Sequence, residues 1–214
     1  MRVVDLTHVI EPGMPVYPGT EPPQFAVGST YERDGFKETR LSLFTHTGTH
    51  LDPPSHIFAG RTTIDQFPTS QFIGTALAID CRAAGAGDAI TMDYLAPYGE
   101  ALSQVDFLLF NTGWDRFWGT PEYFGDYPCI DFGVLQFVLD GAYKGIGFDY
   151  IGLDPVDDEN LPRHKALFQE ADIVNIENLT NLDQCGSDPF HFSCFPLNLL
   201  DGDGSPVRAV AWWE

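Results

Sequence analysis

Three of the chain's six histidines fall within "HTGTHLDPPSH", His46 to His56, together with Asp52. Histidine is a metal ligand and the side chain that exchanges protons near neutral pH. Two imidazoles and a carboxylate suit a borderline divalent ion such as Zn²⁺, Mn²⁺, Fe²⁺ or Co²⁺. The bland alternative is a strand-end histidine, a capping aspartate and loop histidines, each satisfied by an ordinary hydrogen bond. The spacing favours the metal. A helix would put His46 and His50 on one face, but Thr45, Thr47, Thr49 and Gly48 oppose a helix, as does Pro53 after Asp52. In a fully extended chain residues four apart lie roughly 13 Å apart, too far to share an ion with bonds of about 2 Å. The chain must curl, and Gly48 is where it can. The stiff Pro53-Pro54 pair then brings His56 in from the far side.

The elements that must position these groups read as follows. "RVVDLTHVI" is a first strand, and "EPGMPVYPGTEPPQF" is too rich in Pro and Gly for a helix or a central strand. "TRLSLFTH" alternates and reads as a strand running into the histidine cluster. "TALAIDC" and "VDFLLFNTG" are short apolar runs of buried-strand type, and "GIGFDYIGLD" is another strand. "DFGVLQFVLDGAY" has helical spacing with Asp131 as cap. "NLPRHKALFQEA" is a short helix with Asn160 as cap and Pro162 in its first turn. "DIVNIENL" and "PVRAVAWW" close the chain as strands. Strands outnumber helices and the order is mixed, which implies one α/β domain with mixed sheets.

Composition limits the partners. The chain has 214 residues, 43% of them apolar, enough for a sizeable core in one domain. The formal net charge of −20 repels phosphate backbones, so nucleic acid and anionic membranes are not expected partners. No apolar run has the length of a bilayer span, and the opening residues lack a secretory apolar core, so a cytoplasmic location is expected. Cys81, Cys129, Cys185 and Cys194 form no C-x-x-C and read as buried apolar residues, with a Cys185–Cys194 bond as the alternative. There is no dinucleotide-binding glycine motif, P-loop, G-x-S-x-G elbow or H-E-x-x-H. Chemistry falls to the histidine cluster.

"HTGTHLDPPSH" resembles the H-x-G-T-H-x-D-x-P-x-H signature of the cyclase-like metal-dependent hydrolases, a family that includes bacterial kynurenine formamidase and isatin hydrolase. "DLTHVIEPGMPVYPG", "NTGW" at Asn111–Trp114 and "SPVRAVAWW" are also similar to that family. The resemblance implies a swivelling β/β/α fold over residues 1–214, with one or two divalent ions, Zn or Mn, per chain. It implies that His46, His50 and Asp52 hold the first ion, and that His164 and Glu177 serve the second. Asp52 and Glu177 would bridge the two. His56 would be the catalytic acid/base and not a ligand, and Tyr17 would touch substrate where the formamidases prefer Trp. It further implies a homodimer or homotetramer acting on a small molecule.

The implied activity is hydrolysis of a small amide, an arylformamide such as N-formylkynurenine foremost, by a metal-bound hydroxide. A cyclic amide or ester of the isatin or lactam type is the alternative substrate. A metal-stabilised binding protein without turnover is the alternative class, although a structural site has no use for a spare base like His56. His191 has two readings, pocket wall or bystander. The aromatic run Trp114, Phe117, Trp118, Tyr123 and Phe124 also has two, core or dimer contact against a wall for a flat substrate.

Overall fold

The computed structural model describes residues 1–214. Its strands are β1 Arg2–Asp5, β2 Gln24–Ser29, β3 Glu38–Ser42, β4 His50–Asp52, β5 Ile73–Asp80, β6 Ala89–Ile90, β7 Phe107–Asn111, β8 Cys129–Ile130, β9 Gly145–Phe148, β10 Val174–Glu177, β11 Phe190–Pro196 and β12 Ser205–Trp213. Its α-helices are short: α1 Tyr31–Asp34, α2 Met92–Leu95, α3 Phe132–Asp140 and α4 Pro162–Phe168.

β5, β7, β9 and β10 lie side by side and parallel. β11 joins β5 antiparallel, β12 joins β11, and β1 pairs with the far end of β12. At the other edge β4 pairs antiparallel with β10, then with the start of β12 through Leu51↔Ser205 and His50↔Pro206. The sheet therefore curls until it closes on itself, and the three-residue β4 is the closing strand. This is the mixed α/β architecture that the sequence implies.

Both faces of the sheet are covered, so its central strands are apolar throughout. Alternate residues serve different cores. Leu108 and Phe110 of β7 face outward onto Val134, Leu135 and Val138 of α3 and Leu167 and Phe168 of α4. Phe107 and Leu109 face the interior of the curled sheet, with Leu51, Val174, Ile176 and Phe192. Asp131 caps α3 as expected, its carboxylate accepting from Val134 N at 2.8 Å.

Four readings need correction. The first strand stops at Asp5, and only an isolated bridge from Thr7 to Leu179 continues it. "TRLSLFTH" does not run into the cluster as a strand: β3 ends at Ser42, in an exposed hairpin with β2, and irregular chain with bends at 45–46 and 48–49 follows. "GIGFDYIGLD" is extended only to Phe148. Asn160 does not cap α4. Leu161 precedes the helix at φ 48°, and the distant Asp154 carboxylate accepts from Arg163 N at 2.8 Å and His164 N at 3.0 Å. All four cysteines are free and buried, so no Cys185–Cys194 bond forms. No helix is long and apolar enough to cross a membrane.

The glycines of β9 are there for packing. A Cβ on Gly147 would lie 2.8 Å from Leu179 Cδ1 and 2.9 Å from Leu109 Cδ2. Gly147→Ala is expected to destabilise the fold by about 1–3 kcal/mol, the usual cost of overpacking. Urea unfolding of the variant beside the parent checks this.

Candidate metal centre and active site

His46 sits on the bend, His50 and Asp52 on β4, His56 on a 3₁₀ turn over Pro54–His56, His164 on α4 and Glu177 at the end of β10. Gly48 adopts φ 65°, the left-handed turn that the spacing demands. It brings the His46 and His50 rings to 5.1 Å between centroids. The β10–β4 register sets Glu177 opposite His50 and Asn175 opposite Asp52. The close of the sheet thus builds the site.

Donor atoms converge in two groups that share Asp52. His46, His50 and Asp52 form one, and Asp52, His164 and Glu177 the other. His50 Nε2 lies 3.3 Å from Asp52 Oδ1 and 3.5 Å from Glu177 Oε2. His164 Nε2 lies 3.2 Å from Glu177 Oε1 and 3.8 Å from Asp52 Oδ2. Outer contacts aim the rings. His50 Nδ1 donates to Gly48 O at 2.8 Å, and His164 Nδ1 pairs with Asp154 Oδ2 at 2.8 Å. Each ring therefore turns Nε2 inward, the arrangement common to metal-binding histidines.

Asn175 Nδ2 donates to Asp52 Oδ2 at 2.9 Å and Glu177 Oε1 at 2.8 Å, so one amide links both carboxylates. Leu153 N gives Glu177 Oε1 a further bond at 2.9 Å.

The donor set fits a divalent ion. Asp52 and Glu177 are both buried, and no lysine or arginine lines the cavity around them. Buried carboxylates need a positive partner. His46 Nε2 and His50 Nε2 are buried without a hydrogen bond. Burial works against a charged His50, yet Asp52 and Glu177 outweigh it and raise the imidazole to about 9. Burial likewise opposes ionisation of Asp52, but His50, His46 and His164 hold it well below the usual carboxylate range.

His56 stands differently. Its ring is 4.0 Å from that of His46 and 5.9 Å from that of His164. Burial outweighs the nearby Asp52 and lowers His56 to about 4, so it is a neutral base at pH 7. His56 also groups with His46 and the exposed Asp203 within ligand reach.

His46, His50, His56, His164 and Glu177 line a cavity of ≈ 310 Å³, and the buried Asp52 lies within ligand reach of all of these but His56 without lining it. Its apolar lining is Val16, Tyr17, Phe44, Ile151 and Leu161, of which Tyr17 and Phe44 are exposed at its mouth. Tyr17 donates its phenol proton to Val156 O at 3.2 Å. A wider groove of ≈ 630 Å³ beside Ser103, Asp106 and Tyr143 holds no imidazole or thiol.

Two readings left open by the sequence resolve here. His191 is exposed on β11, stacked on Trp212, and does not line the cavity. The aromatic run does not line it either. Trp114 and Tyr123 are buried, and Phe117, Trp118 and Phe124 pack against the outer core. Sequence reasoning missed Asp154, Asn175, Asn178 and Asp203. Asn175 was within reach, since a strand puts residues two apart on one face and Glu177 was already a candidate.

Known proteins can now be set beside this geometry. The model of the Cyclase family, described as "putative cyclase", matches residues 4–155. The chain belongs to the cyclase family. A kynurenine formamidase of Bacillus thuringiensis (strain Al Hakam) is 30% identical, over 97% of this chain and 95% of its own length. That of Salinibacter ruber is 27% identical over 98% and 97%. Among solved structures, isatin hydrolase A from Labrenzia aggregata, bound to benzyl benzoate, superposes with a TM-score of 0.86 at 26% identity, covering 98% of this chain and 93% of its own. A "potential metal-dependent hydrolase with cyclase activity" superposes at 0.76 and 27%, covering 98% and 96%.

Gly204 offers a local test of the donor geometry. A Cβ there would lie 2.5 Å from His46 Cε1 and 2.7 Å from His46 Nε2. Gly204→Ala is expected to displace the His46 ring and weaken zinc binding by about 10-fold or more. Competition with a chromogenic chelator reads the change, beside a melting curve that reports folding.

Proposed function

We propose that this cyclase-family chain is a metal-dependent hydrolase of the carbon–nitrogen bond in a small aromatic amide. An arylformamide such as N-formylkynurenine is the foremost candidate. The observation that carries the reading is the pair of donor groups sharing the buried Asp52, whose other members line one cavity with the neutral His56. The kynurenine formamidase relatives support the substrate class.

In this reading His46, His50 and Asp52 hold one divalent ion, and His164 and Glu177, with Asp52, hold a second if two bind. Zinc or manganese suits a set of imidazoles and carboxylates. When bound, such an ion supplies a water acidified toward neutral pH and a Lewis acid for a carbonyl oxygen. Asn175 donates to both Asp52 and Glu177 and so holds the two carboxylates that would bind the ion in one register. Asp154 fixes His164, and the Gly48 carbonyl fixes His50. His56 accepts a proton at its ring nitrogen and returns it to the leaving nitrogen as the carbon–nitrogen bond breaks. Tyr17 and Phe44 offer aromatic surface at the mouth to a flat substrate.

A cyclic amide of the isatin type is the second reading, favoured by the likeness to isatin hydrolase A. The same groups would open the ring, with the leaving nitrogen kept in the product. A binding protein without turnover fits less well, because His56 is a base that a closed site would not need. We further propose that the chain works in the cytoplasm and assembles as a homodimer or homotetramer. Its apolar hairpin residues Phe25, Val27 and Leu41 stand exposed, and an isolated hairpin is marginal in water without cover.

The test is hydrolysis of N-formylkynurenine and isatin before chelation, after it and after metal is restored. Turnover of either compound that vanishes with chelation and returns with zinc or manganese is expected. Turnover of neither, or turnover that a chelator leaves intact, would overturn the reading. His56→Ala is expected to retain metal and lower kcat by about 10²–10⁴-fold. Loss of metal in that variant would make His56 a ligand.

A further inference from the structure

The aromatic run at Trp114–Phe124 lies close to the centre yet does not reach the cavity. We propose that it acts through Asn178: Tyr123 and Asn178 are positioning residues that lock the Gly48 turn so that His50 presents only Nε2 to the metal centre. This rests on the metal reading above and concerns how the chain keeps one ligand in one tautomer.

The hydrogen bonds carry the argument. Gly48 O accepts from His50 Nδ1 at 2.8 Å and from Asn178 Nδ2 at 2.9 Å. A carbonyl only accepts, so the proton between it and His50 stays on Nδ1. The same carbonyl admits only the Nδ2 end of the Asn178 amide, because Oδ1 there would set two acceptors face to face. The other end of the amide is then fixed as well: Asn178 Oδ1 accepts from the phenol of Tyr123 at 2.7 Å. Tyr123, Asn178, Gly48 and His50 thus form one hydrogen-bonded chain whose donors converge on the Gly48 carbonyl, with its phenol end fully buried.

The backbone of Asn178 adds a second hold on the same turn. Its carbonyl accepts from Thr49 Oγ1 at 2.5 Å, and its N–H donates to Tyr150 O at 3.0 Å. Asn178 takes φ 58°, a left-handed conformation that asparagine tolerates better than most residues. Glycine would adopt it more easily but would bring no amide, so the strained choice points to the side chain. The aromatic run touches the turn a second time. Trp118 stacks on His8 at 3.8 Å and 7°, and His8 N donates to Thr49 Oγ1 at 3.0 Å. Residues 48 and 49 are therefore buttressed from β10 and from the aromatic run together.

This buttress resists a specific failure. Gly48 is flexible in sequence terms, and an unbraced turn would let its carbonyl rotate away from His50. The imidazole could then carry its proton on Nε2 and turn Nδ1 inward. Contacts behind a metal ligand commonly change affinity by 10–100-fold when removed.

Two variants separate positioning from bulk stability. Tyr123→Phe removes one hydroxyl and keeps the ring packing. Asn178→Gly keeps the left-handed backbone and removes the amide. Zinc affinity is measured by chelator competition, folding by circular dichroism, and the His50 tautomer by long-range ¹H–¹⁵N spectra of the zinc-loaded protein. Both variants are expected to fold. Asn178→Gly is expected to lose about 10–100-fold in zinc affinity, with Tyr123→Phe in the same direction and smaller. The His50 ring signals of Asn178→Gly should depart from the single Nδ1–H pattern of the parent. If Asn178→Gly does not fold, Tyr123→Phe decides alone. Folded variants with parental zinc affinity and parental His50 signals would overturn the positioning role while leaving the metal centre intact. A parent chain that takes up no zinc would overturn the metal centre itself, and this role with it.

Discussion

Asp52 and Glu177 are two buried carboxylates on adjacent antiparallel strands, joined by one amide, with no lysine or arginine lining the cavity around them. Like charges in a poorly solvated place repel unless something positive lies between or beside them. Around them the chain places His46, His50 and His164, whose nitrogens can carry either protons or a metal. That exchange of partners is the constraint on which the rest depends. The carboxylates raise His50 and His164 against burial, so a divalent ion must displace protons from these rings to bind.

The fold exists in a form that meets this constraint. β4 is only three residues long, yet it pairs with β10 on one side and β12 on the other. Two of its three residues are His50 and Asp52, so closing the sheet and building the centre are one event. Asp154 joins them by a different route: it caps α4 from outside the helix and orients His164 with the same carboxylate. The outer core contributes through Tyr123, whose phenol reaches Asn178 at the end of β10. A site fixed from several sides is what chemistry at a small carbonyl needs, because small displacements of reacting groups cost large factors in rate.

How much of this was legible in the sequence follows from what each residue answers to. The curl at Gly48 followed from distance alone, and the structure puts φ 65° there. His164 and Glu177 came from resemblance to a family, and the fold brings both beside Asp52. The buried strands β5 and β7 were visible as apolar runs because both faces are covered. β4 was not visible, since three residues carry no periodicity and its polar side chains serve the site. β11 alternates buried Phe190, Phe192 and Cys194 with more exposed residues, but it starts directly after the turn-rich "QCGSDP", which hides its onset in the sequence. Capping rules look to the adjacent Asn160, whereas Asp154 reaches the first turn of α4 through a loop. Asn178 carried no local signal: its partners, Gly48 and Tyr123, are distant in sequence.

The measurement that tests the account most directly is divalent metal content after dialysis, for the parent chain and for Asp52→Asn. Asp52 belongs to both donor groups, so its neutral counterpart weakens both while keeping the strand pairing. The account predicts at least one zinc or manganese ion retained per parent chain and little or none in a folded Asp52→Asn. A folded parent that retains no divalent ion, or an Asp52→Asn chain that retains as much as the parent, would contradict it.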